Sequence, residues 1–345
     1  MTVGIGLAGS GYMGRSYAEC ITRYTVGGRL AAIWGGTRAA QLAADYGAPT
    51  EPSFEALLAR PDVDAVLLAT PHSTHVGQAV AAAQAGKHVY LEKPMALNVA
   101  ECDRIIAACR AAGVVLTVNK VSRFRDAPST AKRLLDEGAI GDLRMIMARH
   151  IHPQFLIAEK SWVYDPAEGS RYLDYGAHAN DQLRWYTGSE ASRVAATYAS
   201  YSGEGPHPQS AMVQVAMANG VMATVWMSYE VPSPGLGPSD LFILVGSTGI
   251  IECDNYGSVR LGRDGQWETV FTQPKVDYLD NYINPVRLKA FAAQTQDFID
   301  SIVEGRRPRV TGEDARAAIE MVEAADRAGA TGETVHLPLG SGYDL

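Results

Sequence analysis

A glycine-rich turn near the start of the chain constrains its fold more than any other feature. Gly9, Gly11 and Gly14 form the pattern G-x-G-x-x-G, directly after an apolar strand pattern and directly before a helical one. In such a strand–turn–helix unit the first glycine permits the tight turn, the second lets a pyrophosphate approach the backbone, and the third lets helix pack on strand. The positive end of the helix then faces the phosphates. We therefore expect Gly9, Gly11, Tyr12, Met13 and Gly14 to bind a dinucleotide.

The spacing of apolar residues along the chain predicts two domains. Short apolar runs alternate with helical patterns up to residue 121, and Val63–Ala69 is apolar at every position except Asp64, as a parallel strand buried on both faces requires. Long alternating strands follow, two of them joined by the hairpin signal Asn219-Gly220. The sequence therefore predicts an α/β domain with a doubly wound parallel (Rossmann) sheet over residues 1–121. An α+β domain with a large open, mainly antiparallel sheet is predicted over residues 122–345.

Composition excludes several classes of protein. The 345 residues are 47% hydrophobic and 20% charged, so the chain can bury sizeable cores. The balance of 30 Lys and Arg against 38 Asp and Glu gives a net charge of −8, which argues against a binder of nucleic-acid backbones. No apolar stretch approaches the length of a membrane span, and we expect no secretory signal, because the first residues lack a basic segment followed by a long apolar one. The four cysteines form no CxxC pair, so we expect a cytoplasmic protein with reduced thiols.

The end of the second predicted strand indicates which dinucleotide binds. NAD sites usually carry an acidic residue about 20 residues after the glycines, where it accepts a hydrogen bond from the ribose 2′-hydroxyl. Here the segment Ile33–Arg38 contains no carboxylate. Thr37 and Arg38 are suited instead to a 2′-phosphate. We predict a preference for NADP, with NAD and a solvated Arg38 as the alternative.

Polar residues follow two further predicted strands. Thr70, His72 and His75 come after one buried strand, and Glu92 and Lys93 come after the next. Open α/β sheets bind their ligands at this carboxyl edge. We expect all five residues to line the cofactor site. Lys93 is also a candidate acid or polarising group, because burial readily lowers the pKa of an ammonium group.

A second pair of titratable side chains lies much later in the chain. Asp174 and His178 are four residues apart, so at a helix start they lie on one face. With the glycine turn, the segment Thr70–His75 and Glu92-Lys93-Pro94, they stand in the order and spacing of the Gfo/Idh/MocA oxidoreductases. The chain resembles that family over essentially its whole length.

The resemblance implies a function and a catalytic triad of Lys93, Asp174 and His178. It indicates an NAD(P)-dependent dehydrogenase that oxidises a secondary hydroxyl of a sugar, cyclitol or related cyclic diol by hydride transfer to nicotinamide. His178 would be the base, Lys93 would hydrogen-bond the alkoxide-like oxygen, and Asp174 would hold the hydroxyl or the Lys–His pair. Two alternatives stay open: a dihydrodiol dehydrogenase acting on a carboxylated aromatic cis-dihydrodiol, and a regulator that binds NADP without turnover.

One segment departs from the family pattern and bears on the substrate. Where the family usually has a small, glycine-rich run, this chain has Gly169–Leu173, which includes Arg171 and Tyr172. These two side chains would narrow the pocket, and Arg171 could offer a cation to a substrate carboxylate, with help from Arg123. The alternative is a solvated Arg171 that pairs with a nearby carboxylate.

Other candidate substrate contacts lie just upstream. His150 and His152 alternate on a predicted strand and so share a face, on which His152 is the candidate substrate ligand. Trp162 and its aromatic neighbours could form an apolar platform for a ring. The sequence offers no third ligand to accompany the two histidines, so we expect no metal site.

The resemblance also implies that the open sheet pairs between subunits. We expect a homodimer or homotetramer that binds a small-molecule polyol or ring-diol substrate, with no nucleic acid and no membrane. The apolar positions proposed for the outer face of that sheet are Met212, Val213, Val215, Met222, Val225 and Met227.

Overall fold

The spacing of apolar residues changes near residue 121, and the structure divides into two units close to this point. The computed structural model describes residues 2–153, 165–201, 208–232, 234–274, 281 and 283–340. Unit 1 comprises Met1–Phe124 and Val276–Arg316, and unit 2 comprises Arg125–Lys275 and Ala317–Leu345. The first boundary therefore lies three residues from the predicted one. Val276–Arg316, expected in the second domain, belongs to the first unit.

Strands and helices are numbered separately in chain order. The strands are β1 (Val3–Ala8), β2 (Gly28–Trp34), β3 (Ala65–Leu68), β4 (His88–Leu91), β5 (Leu116–Val118), β6 (Leu143–Pro153), β7 (Ala191–Ala199), β8 (Ser210–Met217), β9 (Met222–Val231), β10 (Asp240–Gly246), β11 (Ile250–Asp254), β12 (Ser258–Arg263), β13 (Gln266–Thr272) and β14 (Val335–His336). The helices are α1 (Tyr12–Glu19), α2 (Ala39–Tyr46), α3 (Phe54–Ala59), α4 (His75–Gln84), α5 (Val99–Ala112), α6 (Asp126–Asp136), α7 (Arg171–Thr187), α8 (Pro285–Glu304) and α9 (Gly312–Thr331). Within the described ranges, none of these helices has the length and apolarity that crossing a membrane requires.

Unit 1 contains the doubly wound sheet that the glycine turn predicts. Its five strands are parallel and lie in the order β2-β1-β3-β4-β5. Every residue of β1 and β3 is buried, which explains their continuously apolar sequences. The chain runs from β1 outward to β2 and then returns to place β3 on the other side of β1. The switch point, where such sheets bind ligands, therefore lies between the carboxyl ends of β1 and β3.

Helix α8 belongs to unit 1 because its apolar side completes that core. Leu288, Phe291 and Phe298 are buried in one hydrophobic cluster with Tyr17 of α1 and Ile5 of β1. The amphipathic pattern of α8 is visible in the sequence, but an apolar stripe does not specify which surface will cover it. Because α8 begins 167 residues after the end of β5, the sequence did not indicate that the helix packs on unit 1.

Unit 2 is built on a nine-stranded sheet in the order β13-β12-β11-β10-β6-β9-β8-β7-β14. The pair β6–β9 is parallel and the other pairs are antiparallel, so the prediction of a mainly antiparallel sheet is confirmed. The predicted hairpin joins β8 to β9, and Gly220 takes the positive φ of 89° that this turn favours.

Alternation along β8 and β9 corrects the predicted outer face. Met212 and Met222 are each 59% exposed. Four other positions assigned to that face are buried instead, because successive side chains of a strand point to opposite sides. They are Val213, Val215, Val225 and Met227.

Candidate active site

The glycine turn has the geometry that a dinucleotide pyrophosphate requires. A Cβ atom at Gly9 would lie 2.2 Å from the carbonyl oxygen of Ala69, and one at Gly14 would lie 2.1 Å from the carbonyl oxygen of Gly9. Both positions are therefore closed to larger residues by the backbone. A Cβ atom at Gly11 would meet nothing within 4 Å. The first turn of α1 has no side-chain cap among the described residues. The positive end of such a helix suits an anionic group.

A serine inside the glycine pattern ties this turn to the end of β2. Ser10 is buried, and its Oγ accepts a hydrogen bond of 3.2 Å from the backbone N–H of Arg38. Gly35 and Gly36 both have positive φ, and a Cβ atom at Gly36 would lie 2.4 Å from Ser10 Oγ. The two glycines after β2 thus let the chain fold back against the phosphate turn. The sequence pattern treats Ser10 as a variable position and does not reveal this contact.

Beside this contact lies a cleft of about 120 Å³ that carries two arginines. Arg15 pairs with Asp45 at 2.7 Å, and hydrogen bonds from Gln41 and Arg15 lower the pKa of that carboxyl. Thr37 and Arg38 are exposed, and among the described residues no carboxylate pairs with Arg38. The cleft is lined by Ser10, Gly11, Tyr12, Arg15, Arg38, Gln41 and Leu42.

The residues after β3 form a loop at the switch point that is held by side-chain hydrogen bonds. Thr70 Oγ1 donates to Gln78 Oε1 at 2.6 Å, and His72 is buried beside His75 with ring centroids 5.8 Å apart. His75 is fully buried, with Nδ1 2.9 Å from the carbonyl oxygen of Pro94 and Nε2 3.1 Å from that of Thr70. It therefore joins the loops after β3 and β4, and its predicted contact with the cofactor stays a prediction.

Glu92 likewise has a structural role that the sequence did not predict. Its Oε1 accepts hydrogen bonds from Tyr17 Oη at 2.5 Å and Asn119 Nδ2 at 2.6 Å, and its Oε2 accepts one from the Lys93 N–H at 3.0 Å. Burial, and then the carboxylate of Glu92, raise the pKa of Tyr17 well above its usual range. The carboxylate thus fixes the backbone at Lys93, whose side chain is half-buried.

In unit 2, helix α7 carries the other two predicted catalytic residues. The helix begins at Arg171, because Ser170 Oγ caps it by accepting from the Leu173 N–H at 3.1 Å. Asp174 lies in the first turn and His178 one turn later, and both are half-buried.

The cap of α7 is anchored by a buried carboxylate. Ser170 Oγ donates to Asp326 Oδ2 at 3.1 Å, and Tyr198 Oη donates to Asp326 Oδ1 at 2.8 Å. Burial raises the pKa of Asp326 to about 6. Tyr172, expected to narrow the pocket, is instead buried and donates to Asn180 Oδ1 at 3.1 Å.

A stacked pair of rings joins β6 to α7. His150 shares a face of β6 with the buried Ile146, and its ring lies 3.8 Å from that of Tyr175 at an interplanar angle of 14°. Tyr175 Oη donates to Asp240 Oδ1 at 3.2 Å. Burial raises the pKa of Asp240 from 3.8 to about 6, and hydrogen bonds from Asn255 and Tyr175 oppose that rise.

Sequence comparison identifies the family to which these two units belong. The profile described as the oxidoreductase family with an NAD-binding Rossmann fold, Gfo/Idh/MocA, matches residues 3–120. The profile of the Gfo/Idh/MocA C-terminal domain matches residues 129–252. The chain belongs to the Gfo/Idh/MocA oxidoreductase family. The resemblance inferred from its motifs is therefore confirmed.

Relatives within the Gfo/Idh/MocA family match nearly the full chain. Inositol 2-dehydrogenase 3 of Saccharopolyspora erythraea is 28% identical over 98% of this chain and 96% of its own length. A 2,7-anhydro-N-acetylneuraminate hydratase of Mediterraneibacter gnavus is 25% identical over 94% of each chain. Among solved structures, aldose-aldose oxidoreductase from Caulobacter crescentus, crystallised with glycerol, shares 28% sequence identity with this chain. The two structures superpose with a TM-score of 0.84. The match covers 98% of this chain and 100% of that one.

Four residues were predicted to contact the substrate of this Gfo/Idh/MocA protein. Arg123 lies in unit 1, where its guanidinium is 3.4 Å from the Asp314 carboxylate and its side chain is largely buried. The predicted contact of Arg123 with the substrate stays a prediction. Trp162 lies outside the described residues, as do the side chains of His152 and Arg171, of which only the backbone is placed in β6 and α7.

Proposed function

We propose that the protein is an NADP-dependent dehydrogenase that oxidises a secondary hydroxyl of a sugar, cyclitol or related cyclic diol. The observation that carries the cofactor preference is the exposed Arg38 in the cleft beside the glycine turn, at the position where an NAD site usually has a carboxylate. Names of relatives support the substrate class, because these proteins act on inositol, on 2,7-anhydro-N-acetylneuraminate and on aldoses.

The glycine turn would hold the pyrophosphate of NADP, and the cleft would hold its 2′-phosphate. The open position above Gly11 and the N–H groups of α1 suit the pyrophosphate, while Arg38, Thr37 and Arg15 suit the 2′-phosphate. Bound NADP supplies the hydride acceptor. The protein then has to orient the hydroxyl group and accept its proton.

Three side chains carry those tasks in this proposal. His178 accepts the hydroxyl proton, because imidazole titrates near neutral pH. Lys93 hydrogen-bonds the oxygen on which negative charge develops, and Asp174 orients the hydroxyl from the same helix as His178. Glu92 supports Lys93 through its backbone N–H, and the Ser170 cap supports Asp174 through the first turn of α7.

A substrate panel tests the proposal. Cyclitols, aldoses and a carboxylated cis-dihydrodiol are each supplied with NADP or NAD, and absorbance at 340 nm is followed together with product analysis. We expect oxidation of a polyol, with kcat/KM higher for NADP. Turnover confined to the dihydrodiol supports the dihydrodiol dehydrogenase, and binding of NADP without turnover supports a regulator. Product without net reduction of the cofactor supports a hydratase-like reaction, which the name of one relative suggests.

We further propose that the exposed face of the unit 2 sheet pairs with the same face of a second copy. Met212 lies opposite Trp226 across β8 and β9, and Met222 lies opposite Met145 across β9 and β6. Burying such exposed apolar side chains stabilises an interface, and a two-fold axis allows one patch to match itself. Light scattering should show a dimer or tetramer, and a monomer would contradict this part of the proposal.

A cytoplasmic location completes the proposal. The four cysteines are buried and unpaired with one another, as thiols of a reducing compartment are. Burial raises the pKa of Cys20 and Cys102 to about 12, which keeps these thiols protonated and unreactive.

A further inference from the structure

A buried arginine lies against the first turn of the cofactor-binding helix. Arg287 of α8 is only 5% exposed, although arginine is seldom buried. Its guanidinium carbon lies 4.8 Å from the ring centroid of Tyr12 and 4.6 Å from that of Phe291. A planar cation between two aromatic rings is held by the attraction of each ring face for positive charge.

Arg287 reaches Tyr12 by a second route. Its Nη1 donates to Ser16 Oγ at 2.9 Å, and Ser16 Oγ donates in turn to the carbonyl oxygen of Tyr12 at 3.1 Å. One guanidinium therefore restrains both the ring and the backbone of the same residue.

Tyr12 is the residue through which such a restraint would affect the cofactor. It is the first residue of α1, directly after Gly11, and it lines the cleft with 42% of its surface exposed. The N–H groups of this first turn are the ones that meet the pyrophosphate. A turn already held in place loses less conformational entropy when the ligand binds.

We propose that Arg287 is a positioning residue of the dinucleotide site and acts through Tyr12. It holds the ring and carbonyl of Tyr12 so that the first turn of α1 is ordered for the pyrophosphate of either NADP or NAD. This inference rests on dinucleotide binding at the glycine turn, and it assigns to α8 a role that no sequence motif indicates.

Equilibrium binding to the full-length protein tests the inference without any turnover. Arg287→Met keeps a long apolar side chain but removes the planar cation. We expect it to raise the Kd of NADP and of NAD by a similar factor of about 10, because a first turn that is no longer restrained has to be ordered when the dinucleotide binds. Adenosine 2′-phosphate has no pyrophosphate, so its Kd should stay within about twofold of the wild-type value.

A double-mutant cycle separates positioning from a general loss of structure. Tyr12→Leu is an exposed change that should fold normally, and we expect it to raise the Kd of both dinucleotides. In the Tyr12→Leu background, adding Arg287→Met should change Kd little, because the residue through which Arg287 acts is gone. Arg38→Ala is the matched control, since it should weaken NADP and leave NAD unchanged.

Four results would overturn the inference. They are an unchanged Kd for the dinucleotides in Arg287→Met, an equal loss of adenosine 2′-phosphate binding, additive effects in the cycle, and a wild-type protein that binds neither dinucleotide. The last result alone also removes the proposed cofactor, so the two failures are distinguishable.

Discussion

The two units carry their candidate functional groups on different kinds of structure. In unit 1 the main determinants are backbone: glycines at the ends of β1 and β2 that a Cβ atom would obstruct, and the N–H groups of α1. In unit 2 they are side chains: Asp174 and His178 lie on α7, and Tyr175 of the same helix stacks on His150 of β6. A backbone site leaves a local glycine signature in the sequence. A side-chain site depends on which distant elements pack beneath it.

The two units also differ in the direction in which the pKa values of their carboxyl groups are shifted. In unit 1, a hydrogen bond from Arg60 is the main cause that lowers the pKa of Asp62 to about 2. In unit 2, burial raises the pKa of Asp240 and Asp326 to about 6. Unit 2 thus keeps carboxyl groups out of water near α7, where they hold Tyr175 and the Ser170 cap.

The largest expected effect concerns catalysis. Lys93→Met and His178→Ala should each lower kcat by about 10²-fold or more, because each removes a group that handles the developing charge or the proton. The Kd of NADP for His178→Ala should stay near the wild-type value, since that change lies in unit 2. Steady-state kinetics and equilibrium binding measure the two quantities. Near-normal turnover in either variant contradicts the assignment.

An intermediate effect is expected at the end of β2. Arg38→Ala removes a charged hydrogen-bond donor and should lower kcat/KM with NADP about 10-fold to 100-fold, while kcat/KM with NAD changes little. Arg104→Ala serves as the control, because Arg104 is an exposed arginine of α5 in the same unit. Equal losses with both cofactors would show that Arg38 does not recognise the 2′-phosphate.

The smallest effect is a dependence of stability on pH. Because folding raises the pKa of Asp240 from 3.8 to about 6, its contribution to stability is present at low pH and is lost as pH rises through 6. Asp240→Asn should therefore gain stability relative to the wild type between pH 4 and pH 7, by about 1–3 kcal/mol. Urea unfolding at both pH values measures the difference.

Asp62 of unit 1 is the control, because its pKa is shifted in the opposite direction. The lowered pKa of Asp62 means that its contribution is present above its ordinary value of 3.8 and is lost as pH falls toward 2. Asp62→Asn should thus lose little relative stability at pH 3 and more at pH 7. If both variants show the same trend, the contrast between the two units is wrong.

The sequence predicted unit 1 more completely than unit 2 for a physical reason. The parallel strands, the glycine turn and the missing carboxylate after β2 are local patterns, and the structure has the strands and the turn where they were expected. The start of α7 depends on the hydrogen bond by which Ser170 caps the helix. The partners of side chains were harder to predict. His75, Glu92 and Arg123 were predicted to contact a ligand, and the sequence did not indicate that each also has a partner within unit 1.

By itself, the sequence determined the two kinds of sheet, the family and the positions where glycine is required. These features depend on backbone conformation and on periodicity, which are properties of neighbouring residues. Only the tertiary structure decided that α8 completes unit 1, that Arg287 lies against Tyr12, and that Asp240 lies under Tyr175. Those contacts join residues 65 to 275 positions apart, and only the folded core determines which of many suitable side chains meet.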